Sequence, residues 1–143
     1  MIKFTIAPVA ATLAIMLAAC SFTGGSEPEP AIELSVGGGD AMMSCLAFEP
    51  TILAEMPLAF EGTATTVDGD RVSLNVERWF KGGESAGVAL VAPQGLEALI
   101  GGVPFKMGGQ YLISATDGQV NYCGFSGEAT PELRAGFELA FGS

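Results

Sequence analysis

The stretch that decides the fold runs from Leu58 to Phe80 and reads LAFEGTATTV-DGD-RVSLNVERWF. Its first part is rich in β-branched residues, and its last part alternates apolar and polar residues. The Asp-Gly-Asp between them is a turn signal, because glycine tolerates positive φ there. Gly62 inside the first part indicates a bulge or a sharp bend. The stretch therefore predicts a β-hairpin.

Further strands are predicted on the C-terminal side of this hairpin. They cover Gly87–Pro93, Tyr111–Thr116 and Gln119–Cys123, and Asp117-Gly118 is a turn signal between the last two. Together with the hairpin they make five short strands. Five short strands are typical of a mainly β fold, a small Greek-key barrel whose closure protects the strand edges.

Two short helices are predicted beside the strands. Glu49–Met56 has a proline near its start and another just beyond its end. Thr130 is a suitable N-cap with Pro131 in the first turn, and Leu133, Phe137 and Ala140 fall on one face of the helix that follows. We expect that face to pack on the sheet.

Residues 1–19 predict a targeting segment rather than part of the fold. A single positive charge precedes an apolar run that is shorter than the roughly 20 residues of a membrane-spanning helix. The run ends in Leu17-Ala18-Ala19-Cys20, which resembles the lipobox of a bacterial lipoprotein signal peptide. We predict that Cys20 carries a diacylglycerol thioether and fatty acyl chains such as palmitate. An ordinary signal peptide with a chance cysteine, or an uncleaved anchor, is the alternative.

Residues 20–40 follow as a predicted lipidated cysteine and flexible acidic tether. Glycine, proline, serine and glutamate dominate this segment, and it holds too few apolar residues for a core. Ala31–Val36 alternates, however, so an edge strand is the alternative there. The barrel domain is then expected to occupy residues 41–143.

Two cysteines remain after Cys20. In an extracytoplasmic compartment Cys45 and Cys123 most simply form one disulfide bond, which would support a small core. Two buried free thiols are the alternative. No Cys-x-x-Cys pair indicates a thiol-redox enzyme.

Charge and composition exclude several kinds of function. The chain has 16 acidic and 6 basic residues, which makes it a poor candidate for binding nucleic acid. It contains no histidine, so catalytic pairs with a histidine base and zinc sites with histidine ligands are excluded. Asp68 and Asp70 are too few for calcium and fit a turn better. Ser126 lacks the complete nucleophile elbow. We therefore expect no metal, no cofactor and no catalytic residues.

Several short motifs resemble a known family. They are Phe60-Glu61-Gly62, Trp79-Phe80-Lys81-Gly82, Phe105-Lys106-Met107-Gly108-Gly109-Gln110-Tyr111-Leu112 and Cys123-Gly124, with Cys45 ahead of them. This order resembles the netrin-like domain of tissue inhibitors of metalloproteinases, a barrel of the oligonucleotide/oligosaccharide-binding (OB) type. It is also similar to small lipoproteins of high-GC Gram-positive (actinobacterial) bacteria. The resemblance covers Cys45–Cys123 and implies a five-stranded OB barrel.

The inhibitory mechanism of that family does not transfer to this chain. The family chelates the zinc of a protease with the free amino group and carbonyl oxygen of an N-terminal cysteine. Cys45 is preceded by Met43-Ser44, so its nitrogen is a peptide amide, and the Cys-x-Cys opening is absent. We therefore expect no protease inhibition by this route.

Two classes of function remain, with a third option beside them. The first is a non-catalytic lipoprotein at the cell envelope, held to the membrane by lipid, whose barrel binds another protein or an envelope component. Trp79, Phe80 and Lys81 are its candidate contacts, since aromatic residues are favoured at interfaces. The second is a hydrolase using only carboxylates, with Glu49, Glu61 and Glu77 as the candidates. The third is a structural spacer.

Overall fold

Seven strands and two helices form the part of the chain that the computed structural model describes, which is residues 32–37, 46–91 and 104–142. In chain order they are β1 (Ile32–Ser35), α1 (Pro50–Glu55), β2 (Leu58–Asp68), β3 (Arg71–Lys81), β4 (Gly87–Val91), β5 (Gln110–Thr116), β6 (Gln119–Val120), β7 (Gly127–Glu128) and α2 (Pro131–Phe141). The predicted hairpin is present as β2 and β3, and the two predicted helices as α1 and α2.

Six of the strands close into a barrel. Their order around the ring is β2-β3-β4-β1-β6-β5, and β5 pairs with β2 to complete it. The short strand β7 adds to β5 beyond the end of β6. Closure pairs the backbone of each strand on both sides, so the barrel avoids long free edges. The expectation of a mainly β barrel with a few short helices is confirmed.

The sixth strand of the barrel is β1, and the predicted count of five strands is not confirmed. β1 runs parallel to β4 and to β6 and lies between them. It falls inside residues 20–40, which the sequence analysis assigned to the tether, so the beginning of the barrel moves from residue 41 to residue 32. The correction has a physical reason, because Leu34 and Val36 bury their side chains in the barrel core.

The β2–β3 hairpin is long and irregular. Each strand has 11 residues, and the pairing shifts register at three places. Two shifts leave Glu77 and Phe80 of β3 without a direct partner on β2, and the third does so for Thr65 of β2. The shift beside Gly62 confirms the predicted irregularity. A Cβ there would lie 2.7 Å from the carbonyl oxygen of Asn75, so this position requires glycine.

Two apolar clusters lie on opposite sides of the β2–β5 wall. The barrel interior is filled mainly by Phe60, Leu74, Leu90, Tyr111 and Ile113. The outer cluster lies between the wall and the two helices, and it contains Leu53, Ala59, Leu112, Phe125 and Phe137. Because neighbouring residues of a strand point to opposite faces, β2 and β5 contribute to both clusters.

Helix α2 begins as the sequence predicts. The side chain of Thr130 accepts a hydrogen bond of 3.2 Å from the amide of Leu133, and Pro131 occupies the first turn. Leu133, Phe137 and Ala140 all belong to the outer cluster, which confirms the predicted packing face. Neither helix within the described ranges is long and apolar enough to cross a membrane.

Candidate functional site

The first of the predicted contact residues, Trp79, takes part in the barrel core. Its ring centroid lies 5.0 Å from that of Phe60, and its indole nitrogen donates a hydrogen bond of 2.8 Å to the carbonyl oxygen of Ser85. A side chain at position 83 would collide with the indole ring, so Gly83 leaves room for it. Trp79 is therefore half-buried and held on both its apolar and its polar side.

Phe80 and Lys81 lie in different surroundings from Trp79. Phe80 follows Trp79 on β3 and faces the other side, where its ring belongs to the outer cluster and its centroid lies 5.4 Å from that of Phe137. The guanidinium of Arg78 lies 4.4 Å from the centre of the Phe80 ring. Lys81 is exposed, and its Nζ donates a 2.9 Å hydrogen bond to the carbonyl oxygen of Ala54 near the end of α1. The structure therefore does not bring the three residues into one contact surface.

The structure does bring together two of the carboxylates that the sequence singled out. Glu61 forms an ion pair with Arg134 of α2, and Glu77 accepts hydrogen bonds from Thr63 and Gln110. Arg134 also donates to the side-chain oxygen of Gln110 at 3.1 Å, and this bond connects the Glu61–Arg134 ion pair to the hydrogen bonds around Glu77. We call these five residues the outer polar network. It connects β2, β3, β5 and α2 on the outside of the barrel.

The network holds its acidic groups as acceptors for protein donors. Glu61 is buried beneath Arg134, whose Nε also donates to the carbonyl oxygen of Ala129 at 3.2 Å. A pair of catalytic carboxylates needs one acid and one base that reach the substrate. Here Gln110 and Arg134 lie between Glu61 and Glu77, an arrangement that suits fixing a helix to a sheet.

The third candidate carboxylate, Glu49, lies apart from this network. It is the residue before α1, and its carbonyl oxygen accepts from the amides of Ile52 and Leu53. Gln110 and Arg134 were missed by the sequence analysis, because only the fold places these distant residues beside each other. Within residues 32–37, 46–91 and 104–142 no cluster of three or more His, Cys, Asp or Glu side chains is arranged to hold a metal ion.

Ser126 has a structural role. Its hydroxyl accepts from the amide of Ser114 at 2.8 Å and donates to the carbonyl oxygen of the same residue at 3.1 Å. The hydroxyl of Ser114 in turn donates to the carbonyl oxygen of Phe125 at 2.7 Å. These buried bonds attach the segment before β7 to β5, where a regular backbone ladder would otherwise be needed.

Two of the exposed apolar side chains lie on β2 and on the turn that precedes β5. Val67 of β2 is 41% exposed, and Met107 in the turn before β5 is 76% exposed. Two backbone hydrogen bonds join Ala64 to Gly108 and Gly109, at 2.7 Å and 2.9 Å, so this turn runs alongside β2. We call Val67 and Met107 the mouth residues. Neither was singled out from the sequence as a contact residue.

The two tyrosine hydroxyls of the chain differ in their surroundings. Tyr111 accepts from the amide of Lys106 at 2.7 Å and donates to the carbonyl oxygen of Pro104 at 3.2 Å. Desolvation raises its pKa above the ordinary value, and the bond from Lys106 opposes that effect. The Tyr122 hydroxyl is buried and has no hydrogen-bond partner among the described atoms, and desolvation raises the pKa of Tyr122 to about 12.

The structure describes Cys123 and neither of the other two cysteines. Cys123 is disulfide-bonded and has a positive φ of 59°. Cys45 lies outside the described residues, so its pairing with Cys123 stays a prediction. Cys20 also lies outside them, and its lipidation stays a prediction as well.

Of the comparisons with known proteins, the one with solved structures found similarity. No protein-family model matches it, and no curated protein matches it. Among solved structures it is similar to excretory-secretory protein 2 of Ancylostoma ceylanicum, with 9% sequence identity and a TM-score of 0.47. The match covers 75% of this chain and 93% of that one. We transfer no residue role from it.

Proposed function

We propose that this protein is an extracytoplasmic lipoprotein, anchored to a membrane through Cys20, whose barrel binds another protein of the cell envelope without catalysing a reaction. The lipobox-like Leu17-Ala18-Ala19-Cys20 supports the anchor. Acyl chains on Cys20 would hold the protein firmly, since each buried CH2 contributes about 0.8 kcal/mol. The sequence from Ser21 to Ala31 would then separate the barrel from the lipid surface.

The observation that carries the binding function is the filled interior of the barrel. Phe60, Tyr111 and Ile113 are among its largest side chains, all fully or almost fully buried, and Trp79 packs against them. Small-molecule sites are typically concave, and these side chains occupy the space such a site would use. A partner would therefore meet the outer surface, where the mouth residues expose apolar side chains.

We further propose that the barrel is an OB-type Greek key of the netrin-like kind with one additional strand. Without β1, the order around the ring reads β2-β3-β4-β6-β5. In this view the five predicted strands form the basic barrel, and β1 is inserted where β4 and β6 would otherwise be neighbours. The predicted disulfide between Cys45 and Cys123 would join the segment before α1 to the segment after β6.

The membrane anchor is tested by replacing the lipidated cysteine. Cys20→Ala should release the protein from the membrane fraction of its native host, and metabolic labelling with a fatty acid should no longer mark it. A matched Cys45→Ala variant should keep both the lipid label and the membrane association. If the Cys20→Ala protein stays in the membrane fraction, the proposed anchor is wrong.

The binding function is tested by photo-crosslinking in intact cells. A photoreactive residue at position 107 should yield a discrete adduct, because Met107 lies at the proposed contact. The matched control is position 139, since Leu139 is equally exposed but lies on α2. Val67→Glu should weaken the adduct from position 107. Identical patterns from both positions, or no adduct from either, would favour a spacer over a binding module.

A further inference from the structure

Strand β1 is the one member of the barrel ring that is distant in sequence from both of its neighbours. It pairs with β4 over four residues, from Ile32 opposite Val88 to Ser35 opposite Val91. Its pairing with β6 is the single match of Ser35 with Gln119. The neighbour β4 begins 52 residues after Ser35, at Gly87, and β6 begins later still. No tight turn therefore ties β1 to the strands that it contacts.

The space between β4 and β6 recognises β1 by both backbone and side chains. The amide of Ser35 donates to the carbonyl oxygen of Gly118 at 2.8 Å, and the amide of Val36 donates to that of Val91 at 2.7 Å. Leu34 and Val36 enter the barrel core, and Glu33 forms an ion pair with Arg71 of β3. Alternate side chains and main-chain bonds are the two elements by which sheets accept an added strand.

A glycine-rich sequence follows β1 directly. Gly37 has a φ of 89°, a conformation that residues with a side chain rarely adopt, and Gly38, Gly39 and Asp40 come next in the sequence. The present path of the chain after β1 thus depends on a glycine in the left-handed region. Exchange of an identical element between copies is a low-cost route to a dimer, and the segment next to that element acts as its hinge.

We propose that two copies of this protein associate by exchanging β1, so that the strand of each copy lies between β4 and β6 of the other. Every contact described above is preserved in the exchanged form, because the second copy supplies the same residues 32–36. The exchange is reciprocal and closes a two-fold dimer, in which one type of interface is formed twice. The interaction surface is the β4–β6 slot, and it does not depend on what the outside of the barrel binds.

Cysteine pairs across the β1–β4 ladder test the exchange. Ser35 and Val91 are direct partners on β1 and β4, and both are half-buried. Full-length S35C and V91C chains are purified separately in detergent, mixed, incubated and oxidised with copper phenanthroline. We expect a disulfide-linked heterodimer, identified by mass spectrometry of the peptide that joins positions 35 and 91. This bond links two chains only if β1 of one copy lies in the slot of the other.

Two controls make the result interpretable. The S35C chain mixed with a T65C chain measures random collision, since Thr65 is exposed and lies on β2. The double variant S35C/V91C at high dilution should form the same bond within one chain, which shows that the pair is in bonding range. Failure of the double variant would mean that β1 does not occupy the slot, and the proposal would be overturned.

Substitution of the glycine after β1 provides an independent test of the exchange. Gly37→Val disfavours the present path of the chain but leaves the slot unchanged, so we expect a several-fold larger dimer fraction by sedimentation. Gly142→Val is the matched control, because Gly142 also has a positive φ, with open space around its Cβ position, at the end of α2. If mixed S35C and V91C chains crosslink no faster than the collision control, and Gly37→Val stays monomeric, the exchange does not occur.

Discussion

The two sides of the barrel are built in different ways. One side, which we call the hairpin wall, consists of β2, β3 and β5 with α1 and α2 packed outside. The other, the closing wall, consists of β4, β1 and β6. The strands of the hairpin have 11 residues each, whereas β1 has four and β6 has two. The hairpin wall pairs its strands antiparallel, and β1 pairs parallel to both of its neighbours.

The difference indicates where the stability of the fold resides. β2 and β5 bury side chains on both faces, in the barrel core and in the outer cluster under the helices. Leu34 of β1 and Val36 directly after it are buried on one face only, and Glu33 on the other face is exposed. Ordering each residue costs about 1–2 kcal/mol of backbone entropy, so a short strand with one buried face is held weakly.

The largest effect is expected where the hairpin wall meets α2. Phe137 is fully buried and contacts Phe80 edge-on, so Phe137→Ala should lower the free energy of unfolding by about 3–5 kcal/mol. Urea denaturation measures this change. Leu139→Ala, on the exposed face of the same helix, should change it by less than about 0.5 kcal/mol. Equal effects of the two variants would mean that α2 does not pack as described.

A matched pair of leucines compares the two walls directly. Leu112→Ala in β5 should cost about 3–5 kcal/mol, because β5 cannot detach without unfolding the barrel. Leu34→Ala in β1 should cost only about 2 kcal/mol, since the loss cannot exceed the free energy that holds β1 in place. In hydrogen exchange, the amides of Ser35 and Val36 should exchange faster than that of Ser114. Similar costs and similar exchange would show that β1 unfolds only with the whole barrel.

The same difference explains how far the sequence could predict the fold. The hairpin wall follows from local signals, namely alternation in Arg71–Phe80, the turn at Gly69 and the N-cap at Thr130. The position of β1 does not follow from them, because parallel pairing with distant strands leaves no local pattern. Glycine and proline on either side of Ile32–Val36 also made the segment resemble a tether.

The candidate site was predicted less completely than the fold. Strict alternation from Val72 to Val76 would turn Phe80 inward and Trp79 outward. The unpaired Glu77 shifts this phase, so Trp79 enters the barrel core and Phe80 the outer cluster, and no local pattern marks the shift. It did single out Glu61 and Glu77, but their partners Gln110 and Arg134 come from β5 and α2. Only the closed barrel brings those elements together, and a side chain's partners depend on that closure.

Ion pairs offer a third comparison between the walls, with a smaller effect. Arg134 pairs with a largely buried Glu61, and their side chains are 36% and 12% exposed. Arg71 of β3 pairs with Glu33 of the closing wall, and their side chains are 56% and 57% exposed. Arg134→Met should lower the free energy of unfolding by about 1–2 kcal/mol, because it leaves a buried carboxylate without its cation. Arg71→Met should cost less than about 0.5 kcal/mol. Thermal denaturation at low and high salt measures both.

If Arg71→Met proves as costly as Arg134→Met, the ion pair with Glu33 contributes more to holding β1 than its exposure suggests. The closing wall would then be more firmly attached than the leucine comparison assumes. High salt should weaken the exposed pair more than the buried one, since screening acts mainly on solvent-exposed charges.

Alkaline pH gives the smallest and most local test, at Tyr122 beyond the end of β6. The pKa of Tyr122 is raised to about 12 in the folded protein, against about 10 for an exposed tyrosine. Between these values the unfolded chain loses the proton and the folded chain keeps it, so stability is unaffected below pH 10 and falls as pH rises above it. After discounting for partial exposure, we expect a loss below about 1 kcal/mol at pH 11.

Tyr122→Phe should remove this part of the loss and leave that from Tyr111, whose pKa is also raised. Absorbance at alkaline pH follows the ionisation of these two tyrosines, which are all that the chain contains. If Tyr122 ionises near pH 10 while the hairpin wall stays protected from hydrogen exchange, the closing wall opens by itself. If it ionises only as the whole barrel unfolds, the two walls form one cooperative unit.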